Sequence, residues 1–174
     1  MGFSSKEASI VPVMAVVAAV CHIAVGPIIN KAFHVPGPTL AGPVIMAPIM
    51  VAGGYAQRRG TLLLTSAING LILALFVPIG FLAFPIYIIV GFALELFFAN
   101  SVKRLASPSY SFLAGGVGNA VGVLLIALIA MGMKAIVPLM IICGLGFVAG
   151  GIGGLIAFTV MMQVKHMYPA KATQ

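Results

Sequence analysis

Residues 61–76 read TLLLTSAINGLILALF, and residues 84–99 read FPIYIIVGFALELFFA. Counted with their flanks, both runs are long enough to cross the hydrocarbon core of a bilayer, which is about 30 Å thick. A short segment containing Pro78 and Gly80 joins them and favours a turn. The stretch therefore predicts a transmembrane hairpin. Its second leg contains Glu95, the only carboxylate within the apolar runs, and a charge inside a membrane is costly enough that it commonly has a function.

The composition extends this prediction to the whole chain. Of its 174 residues, 62% are hydrophobic and 6% are charged, and the mean hydropathy is +1.23. A soluble domain of this length cannot hide so much apolar surface from water, so the composition predicts an integral membrane protein. We expect an all-α polytopic protein with one transmembrane domain over residues 1–174. Its six predicted helices are 11–29, 41–56, 61–77, 84–102, 112–133 and 136–162.

The positive charges predict how the helices are oriented. The net charge of +7 comes from cations that are scattered at the ends of the apolar runs. With six spans, seven Lys and Arg residues fall on one side of the membrane, and only Lys31 and Lys134 fall on the other. Because cytoplasmic loops carry the excess of Lys and Arg, both termini are predicted to be cytoplasmic. The scattering argues against a nucleic-acid partner. The seven are Lys6, Arg58, Arg59, Lys103, Arg104, Lys165 and Lys171.

Four polar residues from four different runs are predicted to lie at one depth. At a rise of about 1.5 Å per residue, each lies about 14 to 15 Å from the cytoplasmic end of its helix. One interpretation is a polar knot that stabilises the bundle, at about 0.6 to 2 kcal/mol for each interhelical contact. The other is the floor of a cavity that binds a polar small molecule. The residues leave both interpretations open. They are His22, Asn69, Glu95 and Asn119.

Two further residues are candidates for contact with the same ligand. Tyr87 lies on the run that contains Glu95, and His34 lies in the first external segment. That segment, residues 30–43, reads NKAFHVPGPTLAGP, and its prolines and glycines predict a long loop without a continuous helix. The loop is either a plain connector or a lid over an outward-facing site.

No metal or other cofactor is expected. The three histidines, His22, His34 and His166, are predicted to lie at three different depths, whereas a transition-metal site needs several imidazoles together. Gly144, Gly146 and Ala149 match the loosest dinucleotide fingerprint, but no strand precedes them and no acidic residue follows at the needed distance. The glycines of the last two runs have a spacing that is typical of close helix packing in lipid. These glycines are Gly115, Gly118, Gly122, Gly146, Gly150 and Gly154.

Two stretches carry a resemblance to a known family. GGYAQRRGTLLLTSAINGLILAL at 53–75 and FPIYIIVGFALELFF at 84–98, in a chain of six spans, resemble the S-component of an energy-coupling factor (ECF) transporter. The pattern is most similar to YkoE-type members, which are linked to thiamine and its hydroxymethylpyrimidine precursor. The resemblance implies a subunit that binds a vitamin or vitamin precursor in a prokaryotic plasma membrane. It also implies three partner subunits, namely a transmembrane coupling subunit and two ATPases.

The resemblance further implies a docking surface on the first helix. Ala15 and Ala19 match the small-residue stripe with which the family contacts the coupling subunit, and Ala18 lies beside them. Small residues allow helices to approach closely, so packing within the bundle is the alternative interpretation of these alanines. The sequence contains no GxxxxGK[ST] motif, in agreement with ATPases on separate subunits. The alternative is a small self-sufficient carrier in which Glu95 exchanges a proton against the solute. An enzyme is not expected, because the sequence offers no paired acids and no serine with a matching base.

Overall fold

The chain folds into a helical bundle. The computed structural model describes residues 5–35, 38–77, 80–98 and 107–167, and within these ranges every regular element is a helix. A 3-10 turn, Gly80–Leu82, precedes the fourth helix, and a π-helical turn, Ile126–Ala130, ends the fifth. The six main helices are α1 (Ser5–Phe33), α2 (Pro38–Ala56), α3 (Thr61–Phe76), α4 (Ala83–Phe98), α5 (Pro108–Leu125) and α6 (Ile136–Met167).

Length and hydropathy make most of these helices suitable for a membrane. In the part of the chain that is described, five helices are long and apolar enough to span a bilayer. The exception is α3, which has 16 residues and a length of about 24 Å at the usual rise per residue. Helix α4 has the same length, but together with the 3-10 turn before it α4 forms an apolar span of 18 residues, Gly80–Phe97. The predicted all-helical fold with six helices is confirmed. That all six cross the membrane, and that both termini are cytoplasmic, remain predictions.

The predicted long external loop is wrong. Helix α1 continues to Phe33 and α2 begins at Pro38, so only residues 34–37 connect them, and 36–37 lie outside the described residues. Proline is well suited to the first turn of a helix, where its missing N–H has no partner to lose. Pro43, further along α2, leaves the Thr39 carbonyl without its helical donor. The side chain of Asn119 replaces that donor, with its Nδ2 3.4 Å from the Thr39 oxygen.

The glycines of α5 and α6 form the tightest interface of the bundle, as their spacing predicted. A Cβ added to Gly150 would lie closer to the Gly115 carbonyl oxygen than real Cβ atoms ever come. A Cβ added to Gly154 would meet the Ser111 carbonyl oxygen in the same way. The backbones approach this closely because Gly150 and Gly154 have no side chain at the contact. In lipid, such close packing replaces the hydrophobic effect as the attraction between helices.

The apolar core lies between α1, α2, α3 and α4. Large side chains from α2, α3 and α4 fill it, and Ile45, Ile49, Leu73 and Leu94 are completely buried there. At one end of the bundle the Tyr110 hydroxyl donates to the Phe97 carbonyl at 2.7 Å, which joins the end of α4 to the start of α5. The polar side chains described next interrupt this apolar interior.

Candidate functional site

A central polar cluster lies where α1, α3 and α4 meet. We use this name for His22 of α1, Ser66 and Asn69 of α3, and Tyr87 of α4. Tyr87 and His22 are 4% and 8% exposed, and Ser66 and Asn69 are completely buried. The structure thus brings together three of the predicted ligand-binding residues, His22, Asn69 and Tyr87, and adds a serine hydroxyl to them.

His22 and Tyr87 form a hydrogen-bonded pair between helices that are far apart in sequence. The Nδ1 atom of His22 lies 3.0 Å from the Tyr87 hydroxyl oxygen, and the two rings are tilted at 59° with their centroids 6.2 Å apart. Gly26, one turn beyond His22, leaves room for the imidazole, since a Cβ there would lie 3.2 Å from His22 Cδ2. Either tautomer of the imidazole leaves the tyrosine oxygen with further hydrogen-bonding capacity.

Asn69 and Ser66 bring unpaired polar atoms to the same place. Ser66 precedes Asn69 by three residues, so their side chains share one face of α3. The Asn69 amide lies beside the Tyr87 hydroxyl, but the arrangement does not meet the geometry of a hydrogen bond, and neither Oδ1 nor Nδ2 has a partner. The Ser66 hydroxyl has no partner either. Buried polar side chains are mostly satisfied, so three unpaired atoms in one cluster require an explanation.

Asn119 belongs to a second polar centre, at the junction of α2, α5 and α6. Its Nδ2 donates to the Gly146 carbonyl at 2.8 Å, besides its longer contact with the Thr39 carbonyl. A Cβ on Gly42 would lie 2.6 Å from the same nitrogen, so the amide is closely packed. Asn119 thus connects three helices through their backbones, which corresponds to the polar knot that the sequence allowed.

Glu95 does not lie at the depth of Asn69, and the prediction of one common polar layer is wrong. The Glu95 Oε1 atom accepts a hydrogen bond of 2.8 Å from the backbone N–H of Leu62, in the first turn of α3. Leu62 precedes Asn69 by seven residues, which is about 10 Å along the helix. The predicted depth was counted from Arg104, but the described part of α4 ends at Phe98. Glu95 therefore lies three residues before the end of the described part of α4, at the level of the first turn of α3.

The contact of Glu95 has a clear structural role. The first N–H groups of a helix have no partner within it, and they favour an acidic group nearby. Gly60, the residue before α3, has a φ of 86° and offers no side-chain cap. The acidic side chain of α4 supplies the missing acceptor from across the interface. This contact holds the start of α3 against α4.

The predicted docking stripe on α1 faces inward. Ala15, Ala18 and Ala19 are completely buried within the bundle, so they present no surface to another subunit and the prediction is wrong. Because α1 is apolar all around, its hydrophobicity does not distinguish an inner from an outer face. Small residues pack against neighbouring helices and larger ones face outward. The exposed side chains of the same stretch are Val13, Val16, Val17 and Val20.

His34 lies apart from both polar centres. Its side chain is exposed, and its backbone adopts a φ of 53° directly after α1. Among the residues that the structure describes, no three His, Cys, Asp or Glu side chains come together as metal ligands. The link between Pro43 and Asn119 was not predicted, although it had a signal in the sequence, since each helical proline frees the carbonyl four residues before it.

Comparisons with known proteins add one result. No protein-family model matches the chain, and no curated protein matches it. A crystal structure described as an S-component of an ECF transporter superposes with a TM-score of 0.76 at 20% identity. The match covers 95% of this chain and 87% of the other. The chain has a fold similar to that of an ECF S-component. At this level of identity the likeness establishes the fold.

Proposed function

We propose that the chain is the substrate-binding subunit of an ECF-type importer. The observation that carries this proposal is the similarity of the fold to an S-component over 95% of the chain. Similarity over nearly the whole length means that the bundle has the architecture of such a subunit without large additions. The proposal places the protein in the plasma membrane of a prokaryote, with six spans and both termini in the cytoplasm, as the distribution of Lys and Arg predicts.

The energy for import comes, in this proposal, from other subunits. The sequence has no phosphate-binding GxxxxGK[ST] motif, and such a loop is the usual means of holding ATP in a transport ATPase. We therefore propose a transmembrane coupling subunit and two ATPase subunits as partners. The surface that contacts them is not the alanine stripe of α1, because that stripe is buried.

The ligand in this proposal is a vitamin or a vitamin precursor. A thiamine-related molecule is the first candidate, since the sequence pattern at 53–75 and 84–98 is most similar to YkoE-type members. Its contacts are proposed at the central polar cluster, where buried side chains have hydrogen-bonding capacity that the bundle leaves unused. His34, Asn119 and Glu95 are not included, because the first is exposed and the other two make contacts within the bundle.

The chain alone in liposomes tests the proposal against a self-sufficient carrier. The ligand is the small molecule that co-purifies with the detergent-extracted protein, identified by native mass spectrometry and then supplied in labelled form. The proposal predicts saturable binding and no accumulation inside the liposomes, with or without a pH gradient. Accumulation driven by the pH gradient alone would support the carrier and contradict the proposal. The hydrogen bond from the Leu62 N–H holds Glu95, the proton-exchanging group of the carrier alternative, outside the central polar cluster.

A further inference from the structure

We propose that the central polar cluster binds an uncharged ligand group in which a hydrogen-bond donor lies beside an acceptor. A lactam, a cyclic urea and an aminopyrimidine have such an edge. This inference rests on the proposed function for the ligand and specifies its chemical class. The residues that make the contact are Asn69 and Ser66, supported by the pair of His22 and Tyr87.

The unpaired amide of Asn69 is the first observation. Its side chain is completely buried, and both its donor and its acceptor lack a partner. The second amide within the bundle gives a direct comparison. Asn119 is 3% exposed, and its nitrogen donates to the carbonyls of Gly146 and Thr39. The bundle therefore satisfies a buried amide nitrogen where the amide serves packing, and leaves Asn69 available for a group from outside the chain.

The second observation is that the three unpaired atoms belong to two side chains on one face of α3. The Ser66 hydroxyl lies one turn before Asn69 on the same face of α3. Gly91 of α4 packs against this turn, since a Cβ there would lie 2.9 Å from the Ser66 Cβ. Gly91 is also one turn beyond Tyr87, so the tyrosine and the serine border the same junction of α3 and α4. In this proposal, a single ligand edge contacts these groups together.

The hydrogen-bonding capacity of the cluster determines which edge it can bind. A carboxamide such as that of Asn69 offers a donor beside an acceptor, and the Ser66 hydroxyl can act as either. The complement of a carboxamide is a second group with an adjacent acceptor and donor. The tyrosine of the His22–Tyr87 pair adds one contact, as an acceptor when it donates to Nδ1 and as a donor when Nδ1 carries the proton.

The absence of a formal charge in the cluster favours a neutral ligand group. Its four members carry no carboxylate, ammonium or guanidinium group. The one acidic side chain of α4 is engaged with the Leu62 N–H, about 10 Å along α3 from Asn69. A cation or an anion moved into this enclosed region would lose its hydration without gaining a counter-charge, which is far more costly than burying a paired neutral group.

Three matched probes test the inference on the full-length protein in detergent. Imidazolidin-2-one is a neutral cyclic urea with the required edge. Its 1,3-dimethyl derivative keeps the acceptor and lacks the donors, and 2-aminoimidazoline keeps the shape and carries a positive charge. Binding is measured by saturation-transfer NMR at millimolar concentration. We expect the cyclic urea to bind the wild-type protein and the other two probes to show no specific saturation.

Substitutions on one face of α3 localise the binding. Asn69→Leu keeps the number and branching of side-chain heavy atoms, and we expect it to weaken the cyclic urea about tenfold or more, as for the loss of a buried hydrogen-bonded partner. Ser66→Ala, a smaller change, is expected to weaken it several-fold. The control is Thr65→Val. Thr65 is equally buried, but its hydroxyl already donates to the Thr61 carbonyl at 2.7 Å, so binding is expected to stay within about twofold.

Each outcome decides the inference. It is overturned if the cyclic urea does not bind the wild-type protein, if the charged probe binds as well as the neutral one, or if Ser66→Ala and Asn69→Leu both bind like wild type. If Asn69→Leu does not fold, Ser66→Ala against Thr65→Val gives the same test. The assay uses no partner subunit and no ATP. The two proposals can therefore fail separately. If the proposed function is wrong, the protein can still bind the neutral probe; if this inference is wrong, the protein can still be a transport subunit.

Discussion

Replacing Asn69 is expected to stabilise the ligand-free protein, although the residue lies in the middle of the bundle. Both polar atoms of its amide are buried without a partner, and leaving such a group unsatisfied costs about 1 to 3 kcal/mol. Leucine has the same side-chain branching and no polar atom to desolvate. Asn69→Leu should therefore raise the free energy of unfolding by about 1 to 3 kcal/mol.

Asn119→Leu is the matched comparison, and its expected effect has the opposite sign. It removes the 2.8 Å bond to the Gly146 carbonyl and the 3.4 Å contact with the Thr39 carbonyl. Interhelical hydrogen bonds in membrane proteins contribute about 0.6 kcal/mol on average and up to about 1.7 kcal/mol. Pro43 lacks an N–H, so the Thr39 carbonyl has no helical donor and Asn119 supplies one in its place. In Asn119→Leu this carbonyl is left without that donor. We expect a loss of about 1 to 3 kcal/mol.

The two variants are compared by reversible unfolding in mixed micelles, followed by circular dichroism as the denaturing detergent is titrated. The protein is first dialysed until no small molecule is detected by native mass spectrometry. Because both substitutions add the same methyl groups, strain from overpacking affects both, and the difference between them reports the amides. A loss of stability in Asn69→Leu as large as that in Asn119→Leu would show that Asn69 has partners within the bundle, and the reasoning would fail.

Three further variants test other contacts. Gly150→Ala should destabilise the bundle by about 2 kcal/mol or more in the same unfolding titration, because the new Cβ meets the Gly115 carbonyl. Gly144→Ala is the control and should be neutral, because nothing lies within 4 Å of its added Cβ. Glu95→Leu should lower the free energy of unfolding by about 0.5 to 2 kcal/mol, because the Leu62 N–H loses its acceptor. Binding of the co-purified ligand should stay unchanged. Lost binding at full stability would place Glu95 in the site instead. Ala18→Leu should reduce the yield of folded monomer on size-exclusion chromatography, because Ala18 is completely buried. Val16→Leu is the control on an exposed face and should not reduce the yield. Normal folding of Ala18→Leu would show that the alanine is not tightly enclosed.

The helices could be predicted from the sequence, because a membrane helix corresponds to a continuous apolar run that is visible locally. Each predicted run corresponds to an observed helix. The close packing of α5 and α6 was also predictable, since small residues, glycine above all, at a four-residue spacing permit such an approach. The helix ends were less predictable. Pro43 lies inside α2, where the Asn119 amide of α5 donates to the carbonyl that the proline leaves free. A contact between residues so far apart in sequence cannot be predicted from a local pattern.

The site was predictable in its residue types and not in its grouping. His22, Asn69 and Tyr87 do meet, but Asn119 and Glu95 lie elsewhere, because depth counted along one helix depends on where that helix ends. The depth of Glu95 was counted from Arg104, which lies outside the described residues, whereas its contact with Leu62 relates it directly to α3. The inward direction of Ala15, Ala18 and Ala19 was equally hidden, since the residues on the exposed face of α1 are valines, which are apolar too. Hydrophobicity distinguishes inside from outside in water, and it does so poorly in lipid.

Uptake into liposomes that contain the whole transport complex tests the central claim most directly. The chain is reconstituted with a coupling subunit and two ATPase subunits of an ECF module from the same organism, and uptake of the labelled co-purified ligand is followed over time. The proposal predicts accumulation that requires ATP, the coupling subunit and this chain together, with no accumulation when any of them is omitted. Uptake by the chain alone, or failure of the chain to assemble with the module while it still binds its ligand, would contradict the proposal.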